Sequence, residues 1–150
     1  MSFGTSIGDI ISLVSLAHRN YRNCKQAGGQ YVEIAREVRN LHSVLRNVRD
    51  EAERPDSPLF QADATTAKSL KSSTDGCKEV LEGVEAFLAK YHGLSEDGPE
   101  VGGAKKLWHR WKFGNELDEL VKFRWKIMAH TSTMAVLMDE INLKATGRVE

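Results

Sequence analysis

Residues 30–53 decide the fold of this chain, and they read QYVEIAREVRNLHSVLRNVRDEAE. Apolar residues recur in this stretch at alternating steps of three and four, which is the period of one face of an α-helix. The same spacing is typical of helices that pack side by side in a bundle. The recurring residues are Tyr31, Ile34, Val38, Leu41, Leu45, Val48 and Ala52.

Two neighbouring stretches repeat this pattern and predict a helix on each side. The first helix is expected over about residues 7–26, and Gly28 can end it with a left-handed cap. The third helix is expected over about residues 60–91, with Asp56 or Ser57 as its cap.

The last helical region follows a loop that is rich in glycine and acidic residues. It begins near Ala104, is interrupted at Gly114-Asn115 and resumes over residues 116–145, where Arg124 lies on its apolar stripe. No stretch alternates with period two, so no strand is expected. The sequence therefore predicts an all-α fold: an antiparallel four-helix bundle with a short additional helix before the last long helix. The residues expected inside are Val38, Leu41, Leu45, Leu81, Val84, Met134 and Met138.

Length and composition are those of one ordinary domain over residues 1–150. The formal net charge is zero, with 21 basic and 21 acidic residues, so no global field draws the chain to nucleic acid. Cys24 and Cys77 both fall on apolar stripes, and we expect buried free thiols in a reducing compartment. No signal peptide and no run of about 18 apolar residues is present, so a cytoplasmic location is expected.

The sequence carries no recognisable motif for catalysis, metal binding or phosphate binding. None of the five histidines lies in an HxxxH or HExxH pattern, which zinc sites on helices use. Neither GxxxxGK[ST] nor GxGxxG occurs, so no loop is expected to cradle phosphate. We therefore expect a protein that is not an enzyme and that has no cofactor.

The opening helix is apolar on most sides. Such a helix is either buried deeply or made to meet lipid or a partner, and the sequence leaves both readings open. Asp9 lies within this apolar segment and opposes a membrane role. The residues expected to form a membrane or oligomer helix are Phe3, Ile7, Ile10, Ile11, Leu13 and Val14.

Residues 105–113, which read KKLWHRWKF, interleave basic and aromatic side chains. This mixture suits a bilayer interface, where indole rings lie at headgroup level and cations meet anionic lipid. The alternative is a short helix whose tryptophans close one end of the bundle. The residues of this basic-aromatic patch are Lys105, Lys106, Trp108, Arg110, Trp111 and Lys112.

Charge is uneven along the chain although it sums to zero. Residues 50–100 hold twelve acidic and five basic side chains, whereas residues 18–49 hold seven basic and two acidic ones. Residues 105–126 hold seven basic and three acidic side chains. Oppositely charged faces on one domain favour self-association or docking on a charged partner.

Six short segments of the chain carry a family resemblance. They are MSFG at residues 1–4, IGDII at 7–11, AREV at 35–38, Leu41-His42 with Val44-Leu45, KLWHRWKF at 106–113 and AHTST at 129–133. In their order and spacing they resemble the N-terminal domain of fungal STAND proteins, the NLR-like receptors with a nucleotide-binding domain and repeats. The resemblance covers nearly the whole chain.

The resemblance implies a helical effector domain at the head of a larger multidomain receptor. Such domains are akin to HeLo-type cell-death bundles, to the bundle of the mixed-lineage kinase domain-like pseudokinase and to the coiled-coil heads of plant NLRs. In that group an N-terminal helix engages membrane after oligomerisation. The resemblance therefore implies a signalling domain that self-associates and triggers immune or heterokaryon-incompatibility cell death.

The partners expected on this basis are a second copy of the chain, an anionic membrane and a downstream effector protein, without nucleic acid. The domain is expected to be cytoplasmic and to relocate to membrane on activation. The alternative function is an adaptor bundle that recruits a downstream effector through protein–protein contacts.

Overall fold

The computed structural model describes the backbone of residues 7–61, 63–96 and 103–149, with side chains over 7–59, 63–90 and 117–144. The described residues contain no strand, which confirms the all-α prediction. Four α-helices and one short 3-10 helix account for nearly all of them. The elements are α1 (Ile7–Ala27), α2 (Tyr31–Glu53), a 3-10 helix (Pro58–Gln61), α3 (Ala64–Glu96) and α4 (Gly103–Val149).

The turn between α1 and α2 depends on two glycines. Gly28 and Gly29 have φ angles of 70° and 55°, in the left-handed region that side chains disfavour. The Gly28 N–H donates to the Cys24 carbonyl over 3.3 Å, and the Tyr31 N–H donates to the Gly28 carbonyl over 3.1 Å. The expected left-handed cap at Gly28 is therefore confirmed.

The start of α3 differs from the prediction. The helix begins at Ala64, and its cap is Asp63, whose Oδ1 accepts the Thr66 N–H over 2.7 Å. The predicted cap Ser57 instead accepts the Leu59 N–H over 3.2 Å and stabilises the 3-10 helix. Asp56 or Ser57 as the cap of α3 is thus wrong, because the 3-10 helix lies between those residues and the first turn of α3.

The short additional helix before the last long one is not confirmed. The backbone of α4 runs as one helix of 47 residues through the predicted break at Gly114-Asn115. A glycine inside a helix costs only about 1 kcal/mol relative to alanine, which a helix of many turns tolerates.

One core joins the four helices. The seven residues that the sequence placed in the core are buried, from Val38 on α2 to Met138 on α4, whereas Arg124, which the sequence placed on the inner stripe of α4, is exposed. Cys24 and Cys77 are free and fully buried, as predicted, and burial raises the pKa of each thiol to about 12. The largest fully buried side chains are Ile10, Ile34, Val38, Leu41, Leu45, Val48, Leu59, Leu70, Leu81, Val84, Ile127 and Met134.

Contacts between α3 and α4 follow a constant order. Residues that come later along α3 meet residues that come earlier along α4. The contacts are Asp63 with Lys144 at 3.2 Å, Cys77 Sγ with Met134 Sδ at 3.6 Å, and Phe87 with Phe123 at 5.7 Å between ring centroids.

Candidate interaction surface on the first helix

The helix α1 packs against both α2 and α3 and therefore buries a broad face. Ile10 and Ala17 have no solvent exposure, and Leu13 and Leu16, which lie off the narrow stripe of a two-helix contact, are buried as well. This answers part of the question that the sequence left open. Most of the apolar surface of α1 is used inside the bundle.

Two isoleucines near the start of α1 are the exception. Ile7 is 38% exposed and Ile11 is 43% exposed. They lie four residues apart, so they share one face of the helix one turn apart. They form a small apolar surface, whereas Asp9, which is also exposed, lies on another side of the helix because residues two apart do not share a face. Of the predicted membrane or oligomer helix, Ile10, Leu13 and Val14 are buried, whereas Phe3 lies outside the described residues.

A groove of about 750 Å³ runs between α1 and α3 next to Ile11. Its α1 wall combines four apolar residues, among them Ile11, with two serines, Asp9 and Arg19, and its α3 wall carries charged side chains. The charged residues that line it on both helices are Asp9, Arg19, Asp75, Lys78, Glu82 and Glu85. The groove therefore has a mixed lining, with apolar side chains on α1 facing charged side chains on α3.

An ion pair bridges α1 and α3 over this groove. Arg19 Nε donates to Glu85 Oε2 over 2.7 Å, and Arg19 Nη2 donates to Glu85 Oε1 over 3.3 Å. The hydrogen bond and the carboxylate charge raise the pKa of Arg19. Both side chains are well exposed, so the pair contributes little to stability and mainly fixes the orientation of the two helices.

Asn20 attaches α1 to α3 from inside the core, and the sequence analysis did not single it out. The side chain is fully buried, and its Nδ2 donates to the Leu16 carbonyl and to the Leu81 carbonyl, each over 3.1 Å. A carbonyl inside a helix normally bonds only its own helix, so no sequence pattern shows that Leu81 also accepts from α1. These hydrogen bonds therefore form a polar link that fixes the position of α1 along the axis of α3.

A histidine pair lies between α1 and α2. The rings of His18 and His42 have their centroids 5.6 Å apart. Burial lowers the pKa of His42, and the positive charges of His18, Arg46 and Arg49 lower it further. The neutral form of His42 is therefore favoured, and acid works against this contact.

The basic-aromatic patch is described only by its backbone. Residues 105–112 lie in the first turns of α4, and their side chains fall outside the described residues.

Phe123 contacts Phe87, which also contacts Tyr31 at the start of α2. The first 20 residues of α4 come before Phe123 and span about 30 Å of helix.

The structure reveals a second exposed apolar surface, on α4. Val121, Trp125, Val136 and Leu143 are all more than half exposed, and Trp125 and Leu143 reach 64% and 71%. The apolar stripe that faces the core gave no prediction of this surface, which lies on the opposite side of α4. The signal was present, since these four residues recur at intervals of 4, 11 and 7 along the chain.

Comparison of the chain with known family models, with curated proteins and with solved structures finds no match.

Neither a metal site nor a membrane-spanning helix is found within the described ranges. There, no group of three or more His, Cys, Asp or Glu side chains is placed to hold a metal ion. None of the helices, as far as they are described, combines the length and the apolar character that crossing a bilayer requires.

Proposed function

We propose that this chain is a non-enzymatic signalling head of a larger fungal NLR-like receptor, which self-associates and triggers cell death by engaging membrane with α1. The observation that carries the proposal is the exposed pair Ile7 and Ile11 at the start of α1. These residues lie at the end of the chain where the family resemblance places a membrane-active helix. The basic-aromatic patch over residues 105–112 would supply cations for an anionic surface.

The bundle that we propose is antiparallel. The order of contacts between α3 and α4 supports this arrangement, because Asp63 near the start of α3 meets Lys144 near the end of α4. The tight turn at Gly28 and Gly29 supports the same relation between α1 and α2.

In the resting domain, α1 is a packed element of the bundle. Its buried face and the Asn20 link oppose release, so membrane engagement would begin with the exposed isoleucines while the rest of α1 stays packed. The protein would be cytoplasmic at rest and would move to anionic membrane after assembly. Its partners would then be other copies of itself and lipid headgroups.

The test is leakage of dye from vesicles that contain anionic lipid. Replacing Ile7 and Ile11 together with glutamate should reduce leakage about tenfold or more, because acidic side chains insert poorly into a bilayer. Both residues are exposed, so circular dichroism should show an unchanged fold. Replacing Ile10 would not give a clean test, since its side chain is completely buried.

A matched control is Val32→Glu on α2, where the valine is 44% exposed. This variant adds one glutamate at a similar exposure away from α1, and its leakage should equal that of the unchanged protein. Equal leakage from the Ile7→Glu, Ile11→Glu variant would overturn the membrane role of α1.

The second candidate function is an adaptor that recruits a downstream effector by protein–protein contacts. The exposed apolar residues of α4 favour it, because an apolar stripe on a helix is a common docking surface for another helix. An adaptor would bind its effector and would leave vesicles intact at every concentration of the assembled domain.

A further inference from the structure

The helix α4 has a second apolar stripe opposite the one that it buries. Val136 and Leu143 follow Trp125 by 11 and 18 residues, which are three and five whole turns at about 3.6 residues per turn. Val121 precedes Trp125 by about one further turn. The outward stripe therefore lies in line along the helix, whereas Ile127, Met134 and Ile141 face the core.

This outward stripe is symmetric about Ser132. Val121 and Leu143 lie 11 residues before and after it, and Met128 and Val136 lie four residues before and after it. If a second copy of α4 lay antiparallel with its Ser132 opposite the first, Val121 of each copy would meet Leu143 of the other, and Met128 would meet Val136. Ser132 itself is small and exposed, so two helices can approach closely where they cross.

The polar residues along the stripe have the same symmetry. Trp125 and Asp139 lie seven residues before and after Ser132, so the indole N–H of one copy would face a carboxylate of the other. Lys126 lies six residues before Ser132 and Glu140 lies eight residues after it. In the pair, Lys126 of one copy and Glu140 of the other would therefore be offset by about 3 Å along the helix axis, a distance that a lysine side chain can span. An antiparallel pair related by a two-fold axis would thus form each contact twice.

The charged side chains that such a pair would use are ones that form no ion pair within the described part of the single chain. Lys122 pairs with Glu119 at 3.3 Å, and Lys144 pairs with Asp63 at 3.2 Å. Over the described ranges, Lys126, Asp139 and Glu140 make no ion pair, although all three are exposed.

We propose that the outward stripe of α4 is the surface through which a second copy of this chain binds, antiparallel and centred on Ser132. The occupant is a second copy because both the apolar spacing and these charged side chains are self-complementary. The inference rests on the proposed self-association and names its surface, which is separate from Ile7 and Ile11 on α1.

A charge-swap experiment tests the geometry by sedimentation. Lys126→Glu and Glu140→Lys should each weaken the dimer about tenfold, because each variant places like charges opposite one another twice. Mixing the two variants in equal amounts should restore the dimer, since every pair at these positions then has opposite charges. A parallel pair would place residues 126 and 140 each opposite itself, so like charges would already face one another in the unchanged protein, and neither single swap should then weaken the dimer.

A cross-link provides a second measurement that does not depend on charge. Ser132→Cys should form a disulfide-linked dimer under mild oxidation, because the two residues lie on the axis. The matched control is Ser43→Cys on the exposed side of α2, which should form no disulfide-linked dimer under the same oxidation. The native thiols will not interfere, since Cys24 and Cys77 are fully buried.

The inference is overturned if the unchanged protein stays monomeric up to about 1 mM, or if the mixed variants and the Ser132 cross-link fail to give a dimer. The same measurements separate this inference from the proposed membrane role. A dimer that never permeabilises vesicles supports the surface and contradicts the membrane role, whereas leakage by a protein that is always monomeric contradicts the surface.

Discussion

Gly76 on α3 lies directly against the ring of His130 on α4. A Cβ atom added at Gly76 would collide with that ring. Alanine normally stabilises the interior of a helix by about 0.8–1 kcal/mol relative to glycine. Overpacking costs about 1–3 kcal/mol, so Gly76→Ala should lower the free energy of unfolding despite its better helix propensity. Urea unfolding of the purified domain measures the change.

The second half of this experiment removes the ring. In a background of His130→Ala, the space beside Gly76 opens, and Gly76→Ala should then raise the free energy of unfolding. If Gly76→Ala lowers the free energy of unfolding equally with and without the His130 ring, close approach of α3 and α4 is not the reason for glycine at this position.

Residues such as Gly76 and Asn20 show where inference from the sequence ends. The period of the apolar residues predicted burial of Val38, Leu81 and Met138, because burial follows from the face of the helix. The partners of Gly76 and Asn20 come from other helices, and no local pattern encodes them.

The contact between α1 and α2 should depend on pH through His42. The pKa of His42 lies below its usual value of 6.5 in the folded protein, because of burial and the nearby His18, Arg46 and Arg49. Above pH 6.5, His42 is neutral in both the folded and the unfolded chain, so it does not lower the free energy of unfolding. As the pH falls below 6.5, the unfolded chain binds the proton first, and stability should decline until the lowered pKa of the folded state is reached.

Thermal unfolding between about pH 7.5 and about pH 5 measures this decline. His42→Gln should reduce the slope, because glutamine does not titrate. Burial also lowers the pKa of His130 at the other side of the bundle, so some slope should remain until His130 is replaced too. An unchanged slope in the double variant would assign the pH dependence to other groups.

At the scale of whole elements, the sequence predicted the four helical regions, but it misplaced the start of α3 and predicted a break that the backbone of α4 does not have. The cap of α3 was misplaced because Ser57 and Asp63 are both good cap residues, and only the 3-10 helix between them separates their roles. Arg124 was assigned to the inner stripe of α4. It is exposed and pairs with Glu37 at 3.7 Å, so it lies at the edge where α4 meets α2.

For the molecule as a whole, the free energy of packing decides whether α1 of a single copy can leave the bundle and insert into lipid. Burial of Ile10, Leu13, Val14 and Leu16 stabilises α1 in the bundle by about 1.5–3 kcal/mol each. Their sum approaches the total stability of an ordinary domain, about 5–15 kcal/mol. Insertion into lipid returns only about 0.3–0.6 kcal/mol per large apolar residue, and a carboxylate such as Asp9 at the bilayer centre costs about 2.5–3.5 kcal/mol.

A single copy should therefore keep α1 on the bundle, and membrane activity should rise when copies are forced together. In an assembly, several Asp9 carboxylates can face a shared wet interior, where their cost is smaller. Fusing the domain to a trimeric coiled coil should increase vesicle leakage per chain well above that of the unfused protein. The same fusion carrying Ile7→Glu and Ile11→Glu is the control, since it assembles equally but lacks the exposed apolar pair. If the fused and unfused proteins leak equally per chain, assembly is not the trigger, and if neither of them causes leakage, the adaptor function should replace the membrane one.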